Sequence, residues 1–256
     1  MLPYFQLNDI HIGTWVIRTW GIFVSLSFIV GLWLAYREAR RKRLLSDPLI
    51  DLTIWIIIAA IIGARVFYIL NEWELFRGNL IGWLKIWDGG MAMYGGIIGG
   101  AIAAWTYLGR HKLDRATYFD ILAGVMPIAI AVGRLGCFFV HDHLGRTTKF
   151  LLGIKLPDGT IRHDLALYEI LFGVGLFIFF IWWRRRSLPA GLMTAVFIMA
   201  YGGFRFGFDF LRASDVPLAD PTVWLGLHPS QYVAGVSILL ATGWIFINRA
   251  KLFVRQ

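Results

Sequence analysis

Three arginines of this chain lie inside strongly apolar stretches. Arg65 occurs in GARVFY, Arg134 in AVGRLGCFF and Arg205 in YGGFRFGFDF, and each follows a glycine within two positions. A guanidinium donates paired hydrogen bonds and suits phosphate. The pattern therefore predicts an anion site, and in a membrane the simplest anion is a phospholipid headgroup. Structural salt bridges are the alternative, with Asp120, Glu169 and Asp209 as available partners.

A second group of polar residues follows Arg134 within the loop FFVHDHLGRTTKF. His141 and His143 flank Asp142, and Arg146 comes three residues later. Two histidines at i and i+2 with one carboxylate are weak evidence for a metal, so we predict no metal site. Either histidine is a candidate base.

The elements that position these residues are predicted to be transmembrane helices. The chain of 256 residues is 58% hydrophobic and 16% charged, whereas soluble domains are about 25% charged. Apolar stretches near the roughly 20 residues that span a bilayer recur along the sequence. We predict an all-α membrane protein with seven spans, near residues 19–36, 50–70, 91–108, 117–140, 166–183, 190–211 and 230–247.

The distribution of lysine and arginine predicts the orientation of these spans. Fourteen such residues fall in alternate loops on one side and six on the other. By the positive-inside rule the N-terminus is periplasmic and the C-terminus cytoplasmic. The net charge of +9 is thus mostly a topology signal, and with no basic recognition face we predict no nucleic-acid partner.

Residues 1–256 are predicted to form one polytopic domain without a cleaved signal peptide. Periplasmic loops are expected near 71–90, 141–165 and 213–229. Within the first of them, residues 71–88 alternate apolar and polar groups at helical spacing, as a helix lying along the membrane interface would. The single cysteine, Cys137, excludes an intramolecular disulfide.

The chain resembles the prolipoprotein diacylglyceryl transferase family from about residue 17 to 248. The segment GRLGCFFVHDHLGR at 133–146 is similar to the family signature G-R-[IL]-G-N-F-x-N-x-E-x-x-G-R. Further similar stretches occur in the same order: IRTWG at 17–21, GARVFYIL at 63–70, WDGGMAMYGGIIGG at 87–100, LYE at 167–169, YGGFRFGFDFLR at 201–212 and SQY at 230–232.

The resemblance implies an enzyme of the bacterial inner membrane that needs no cofactor. Its substrates would be phosphatidylglycerol and a prolipoprotein signal peptide, whose lipobox cysteine receives the diacylglyceryl group as a thioether. By position, Arg134 matches the arginine that binds phosphatidylglycerol, and Arg205 matches a second essential arginine. The other substrate-binding positions carried over are Arg65, Asp120, Asp142, Gly145, Arg146, Tyr201 and Asp209.

Three positions depart from the family pattern. Tyr94 replaces the histidine of H-G-G, Trp20 replaces a tyrosine, and Cys137 replaces the signature asparagine. With a pKa near 10, tyrosine is a poorer base than histidine. We therefore assign Tyr94 to the catalytic group as an orienting residue. A non-catalytic relative that binds phospholipid or lipopeptide is the main alternative, and a small transporter is a distant third.

Overall fold

The computed structural model describes residues 2–78, 80–215 and 224–253. Within these residues, each of the seven predicted spans coincides with a helix. The seven helices are α1 (Thr19–Arg41), α2 (Pro48–Asn71), α5 (Met93–Arg110), α6 (Arg115–Val140), α7 (Leu165–Trp183), α8 (Leu192–Phe208) and α9 (Pro229–Phe253). Two short helices, α3 (Trp73–Phe76) and α4 (Leu80–Leu84), lie between α2 and α5, followed by a 3-10 turn at Ile86–Asp88.

Five of the described helices are long and apolar enough to cross a membrane, namely α1, α2, α6, α7 and α9. Large apolar side chains on them face outward; Ile54, Ile58 and Ile62 of α2 are 51%, 44% and 58% exposed. Such a surface is unfavourable in water and suits lipid. The chain is therefore a multi-pass membrane protein. The prediction of seven spans stays a prediction, since neither α5 nor α8 is among these five helices.

The protein is mostly helical, but the all-α expectation needs one correction. Strands β1 (Leu2–Pro3), β5 (Ile154–Lys155), β6 (Ile161–Asp164) and β4 (Leu144–Thr147) form one sheet in that order. Strands β2 (Asp9–Ile12) and β3 (Trp15–Arg18) form an antiparallel hairpin. Hydropathy windows do not detect strands of two to four residues that lie outside the apolar stretches. The predicted loop 141–165 therefore carries most of a sheet.

The chain divides into two compact units. One unit comprises Met1–Gly31 and Phe119–Gln256, and the other comprises Leu32–Tyr118. The single domain expected from the sequence stays a prediction. Of the other predicted features, residue 79, residues 216–223 of the loop at 213–229, and Arg255 lie outside the described residues.

In the unit Leu32–Tyr118, glycines let α2 and α5 pack with their backbones nearly in contact. A Cβ atom at Gly95 would lie 2.2 Å from the carbonyl oxygen of Gly63, and one at Gly99 would lie 2.3 Å from that of Ala59. Small residues at such spacing allow close helix packing in lipid. The glycines Gly95 and Gly99 of the third predicted span therefore serve close helix packing.

In the other unit, α6 and α7 approach each other in the same way. A Cβ atom at Gly173 would lie 2.6 Å from the carbonyl oxygen of Pro127. The N-terminal segment packs on the end of α6, where the Leu7 amide donates to the Phe139 carbonyl at 2.9 Å. The first contact holds α6 against α7, and both helices carry site residues.

Candidate functional site

A single buried carboxylate joins the charged residues of α6, α7 and α8. Glu169 on α7 is only 2% exposed. Its Oε2 atom lies 2.8 Å from Nε of Arg134 and 3.4 Å from Nη1 of Arg205. Its Oε1 atom accepts a hydrogen bond from the Tyr201 hydroxyl. Two guanidiniums thus share one carboxylate oxygen.

A second carboxylate, Asp209, extends this cluster beyond the end of α8, into the 3-10 helix Asp209–Leu211. Tyr201, Arg205 and Asp209 follow one another at intervals of four, so they share a helix face. Oδ1 of Asp209 lies 3.2 Å from Arg205 and 3.0 Å from Arg212. Its Oδ2 atom is buried without a hydrogen-bond partner among the described residues. Since buried charges need partners, the two carboxylates hold the Arg205 side chain in place.

The far side of the Arg134 guanidinium faces Cys137 and His143. Nη1 of Arg134 lies 3.5 Å from the Cys137 sulfur and 3.4 Å from Nε2 of His143. Nδ1 of His143 pairs with the Asp142 carboxylate. Burial alone would lower the pKa of His143, but its hydrogen bonds to Asp142 and Cys137, together with the negative charge of Asp142, raise the pKa to about 9. His143 is therefore a cation at neutral pH in this arrangement.

His141 has a different environment from His143. Its side chain is only 1% exposed, and Nδ1 lies 2.7 Å from Oδ2 of Asp164. Its ring stacks on Tyr4 at 5.1 Å. The other oxygen of Asp164 accepts from the Leu167 amide at 3.0 Å and caps α7. The pair therefore anchors the start of the helix that carries Glu169, and the predicted role of His141 as a base stays untested.

The signature residues Gly145 and Arg146 attach β4 to the segment after α8. Gly145 forms a backbone bridge with Arg212, and a Cβ atom at Gly145 would lie 2.7 Å from the Leu211 carbonyl oxygen. Nε of the exposed Arg146 donates to the Arg212 carbonyl at 3.3 Å. This position thus requires glycine for close approach, and the contact holds the segment that includes Asp209.

Asp120, predicted to bind substrate, is buried at the start of α8. It accepts hydrogen bonds from the backbone amides of Gly191 and Thr194, both at 2.8 Å, and from the Thr194 hydroxyl at 2.7 Å. Gly191 adopts a left-handed φ of 89°. A carboxylate at a helix N-terminus satisfies amides that otherwise lack partners. Asp120 thereby positions the helix of Arg205.

Arg65 lies in the unit Leu32–Tyr118 and binds backbone carbonyls. Its guanidinium donates to the carbonyl oxygens of Gly82 (2.5 Å), Trp83 (3.1 Å), Gly89 (2.6 Å) and Gly90 (3.0 Å). The side chain is buried and lies over the Phe76 ring at 5.2 Å. It borders a cavity of about 240 Å³ that Lys85 and Asp88 also line. Arg65 thus holds residues 82–83 and 89–90 against α2. The interfacial position predicted for residues 71–88 stays a prediction.

Tyr94 belongs to the same unit as Arg65. It is the second residue of α5 and is half-buried, directly before the glycine packed on α2. Its predicted orienting role stays a prediction.

The fold brings together Arg134, Arg205, Tyr201 and Asp209. Asp142 lies near this group because it pairs with His143, which in turn contacts Arg134. Sequence reasoning assigned Glu169 only as one of three possible ion-pair partners, although the stretch LYE already singled it out. It also overlooked the contact of Cys137 with Arg134, since sequence proximity grouped His141 instead with Asp142 and His143.

Comparison with known proteins identifies relatives along nearly the whole chain. A family model described as prolipoprotein diacylglyceryl transferase matches residues 9–247. A phosphatidylglycerol–prolipoprotein diacylglyceryl transferase of Listeria innocua is 31% identical over 95% of this chain and 90% of its own length. A protein of the same name from Streptococcus suis is 31% identical over 94% of this chain and 92% of its own, and one from Pseudoalteromonas atlantica is 32% identical over 88% and 80%.

Proposed function

Because the chain belongs to the prolipoprotein diacylglyceryl transferase family, we propose that it transfers the diacylglyceryl group of phosphatidylglycerol to a lipobox cysteine. The observation that carries the proposal is the sharing of Glu169 by Arg134 and Arg205. Glu169 and Asp209 are shared among Arg134, Arg205 and Arg212, so two carboxylates leave one positive charge of the three arginines for a phosphate. Both arginines also stand at family motif positions.

In the proposed reaction the substrate thiolate attacks the glycerol carbon that carries the phosphate ester. A carbon–sulfur bond forms, the carbon–oxygen bond breaks, and the electron pair leaves with glycerol phosphate. Negative charge develops on the leaving phosphate, where Arg134 and Arg205 stabilise it. Placement of two lipid-bound reactants side by side supplies further acceleration.

The nucleophile is the substrate cysteine rather than Cys137, which is 4% exposed inside the protein. A free thiol has a pKa of about 8.5, and neighbouring arginines favour its thiolate. The thiol proton passes to solvent before attack. We assign Tyr94 to orientation of the reactants, because its hydroxyl is a weak base at neutral pH.

We further propose seven membrane crossings in the inner membrane, with the N-terminus periplasmic and the C-terminus cytoplasmic. The excess of fourteen over six basic residues between alternate loops supports this orientation. In it, Arg134 and Arg205 stand toward the periplasmic ends of their helices, on the side where prolipoproteins emerge.

Transfer from phosphatidylglycerol to a lipobox peptide by the purified protein tests the proposal. Arg134→Ala and Arg205→Ala are each expected to lower turnover by about 10²–10³-fold, the loss seen when one charge-stabilising donor is removed. Arg37→Ala is the matched control, because Arg37 is an exposed arginine that lies over Trp33. Full activity in Arg134→Ala would overturn the proposed mechanism.

The alternative, a non-catalytic relative that binds phospholipid or lipopeptide, is favoured by Tyr94 at the family histidine position. Complementation of a transferase-depleted bacterium separates the two functions. Growth at normal expression supports the enzyme, whereas failure with intact lipid binding supports the binding protein.

A further inference from the structure

Three groups that bind transition metals converge beside Arg134. The sulfur of Cys137, a carboxylate oxygen of Asp142 and a ring nitrogen of His143 all lie within 4.8 Å of one another. Cys137 is in the last turn of α6, and the other two follow the end of that helix. His141 adopts a left-handed φ of 54°, which turns the chain so that residues 142 and 143 fold back toward Cys137.

The donor set matches the preferences of one metal ion in particular. Zn²⁺ binds cysteine thiolate, imidazole and carboxylate, and sites that exchange a ligand use three protein donors with a fourth position open. Zinc bonds of about 2.0–2.3 Å place tetrahedral ligands about 3.5 Å apart. The three donor atoms lie within 4.8 Å of one another, so binding of the ion requires them to draw together by about 1 Å.

We propose that Cys137, Asp142 and His143 form a Zn²⁺ site whose occupancy inhibits the protein by withdrawing two of these groups from Arg134. A thiolate and a carboxylate balance the two charges of the ion. Arg134 keeps Glu169 as its counterion at 2.8 Å. On binding, the ion displaces one proton from the thiol and one from the imidazole to solvent. The ion and its three ligands then have a net charge of zero.

The exposure of the three side chains provides a route for the ion. Asp142 and His143 are 38% and 35% exposed at their side chains, whereas Cys137 is 4% exposed. An ion thus meets the carboxylate and imidazole first and the thiol last. The family signature has asparagine at the position of Cys137, and asparagine supplies no thiolate. A chain that keeps the asparagine would therefore lack this metal ligand.

Cobalt substitution tests the binding site without reference to enzymatic activity. Co²⁺ bound to thiolate produces a charge-transfer absorption band, and the chain has one cysteine, so any such band reports Cys137. We expect the band in untagged, detergent-solubilised full-length protein, and its loss on addition of Zn²⁺. C137N should abolish it.

Variants of the other two donors establish whether the thiol acts alone. H143Q and D142N should each weaken Co²⁺ binding by at least about 10-fold, the loss that removal of an outer partner of a metal ligand already produces. H11N is the matched control, since His11 is an exposed histidine on β2. Absence of the band in the unmodified protein, or affinity unchanged in both H143Q and D142N, overturns the site.

The inhibitory role rests on the proposed function and is measured separately. Zn²⁺ should suppress lipid transfer reversibly, with recovery on chelation. Zn²⁺ that occupies the site without slowing transfer overturns the inhibition. An unmodified protein that shows the cobalt band but no transfer would instead contradict the proposed function, so the two failures are distinguishable.

Discussion

The Nε atom of Arg134 lies 2.8 Å from the Oε2 atom of Glu169, and both side chains are largely withdrawn from solvent. The same oxygen is 3.4 Å from Arg205. Glu169 therefore fixes the separation of the two guanidiniums across α6, α7 and α8. A phosphate that binds both arginines meets them already in place, so little side-chain freedom is lost on binding.

Glu169→Gln should disable the site and destabilise the fold together. The amide keeps the shape but leaves two buried guanidiniums without their shared counterion, and loss of one partner of a buried ion pair costs about 3–5 kcal/mol. We expect a lower melting temperature in detergent and loss of lipid transfer. Glu74→Gln, an exposed glutamate on α3, is the control; equal effects of the two changes would contradict the counterion role.

Asp120→Ala should act mainly through stability. The change removes three hydrogen bonds at the start of α8, and loss of such a cap costs about 0.5–2 kcal/mol. Thermal unfolding should report this loss, while transfer per folded molecule falls less than in Arg134→Ala. A larger activity loss in Asp120→Ala than in Arg134→Ala would instead favour the direct substrate contact predicted from its motif position.

Gly95→Ala should force α2 and α5 apart. The new Cβ atom would lie 2.2 Å from the Gly63 carbonyl oxygen, and overpacking of this kind typically costs about 1–3 kcal/mol. Gly96→Ala, on the same helix, is the control, because its nearest contact would be an ordinary 3.4 Å. Thermal unfolding should separate the two variants, and similar melting temperatures would show that the interface accommodates a methyl group.

Arg65→Ala should release the segment between α2 and α5. The guanidinium binds four backbone carbonyls from Gly82 to Gly90, and those carbonyls lose their charged donor when it is removed. We expect faster tryptic cleavage after Lys85, followed by mass spectrometry of the fragments. Arg37→Ala should leave that rate unchanged; an unchanged rate in Arg65→Ala would show that other contacts hold the segment.

Hydropathy alone located the helices, because a bilayer demands apolar stretches of nearly fixed length. The bounds of α2, predicted at 50–70, are Pro48–Asn71. The strands at 144–164 escaped prediction because they are short and lie outside the apolar stretches, where no periodic pattern marks them.

The sequence by itself identified the arginines that lie inside apolar helices. The order of its motifs indicated the family to which the chain belongs. It left open which acidic partner each arginine takes, because Asp120, Glu169 and Asp209 all carry a carboxylate and lie far apart along the chain. Only the packing of α6 on α7 and α8 decided that Glu169 serves Arg134 and Arg205 and that Asp120 caps a helix. The fold of the unit Leu32–Tyr118 decided that Arg65 binds carbonyls. Those choices depend on distances of a few ångströms between residues distant in sequence, which residue types and spacing do not encode.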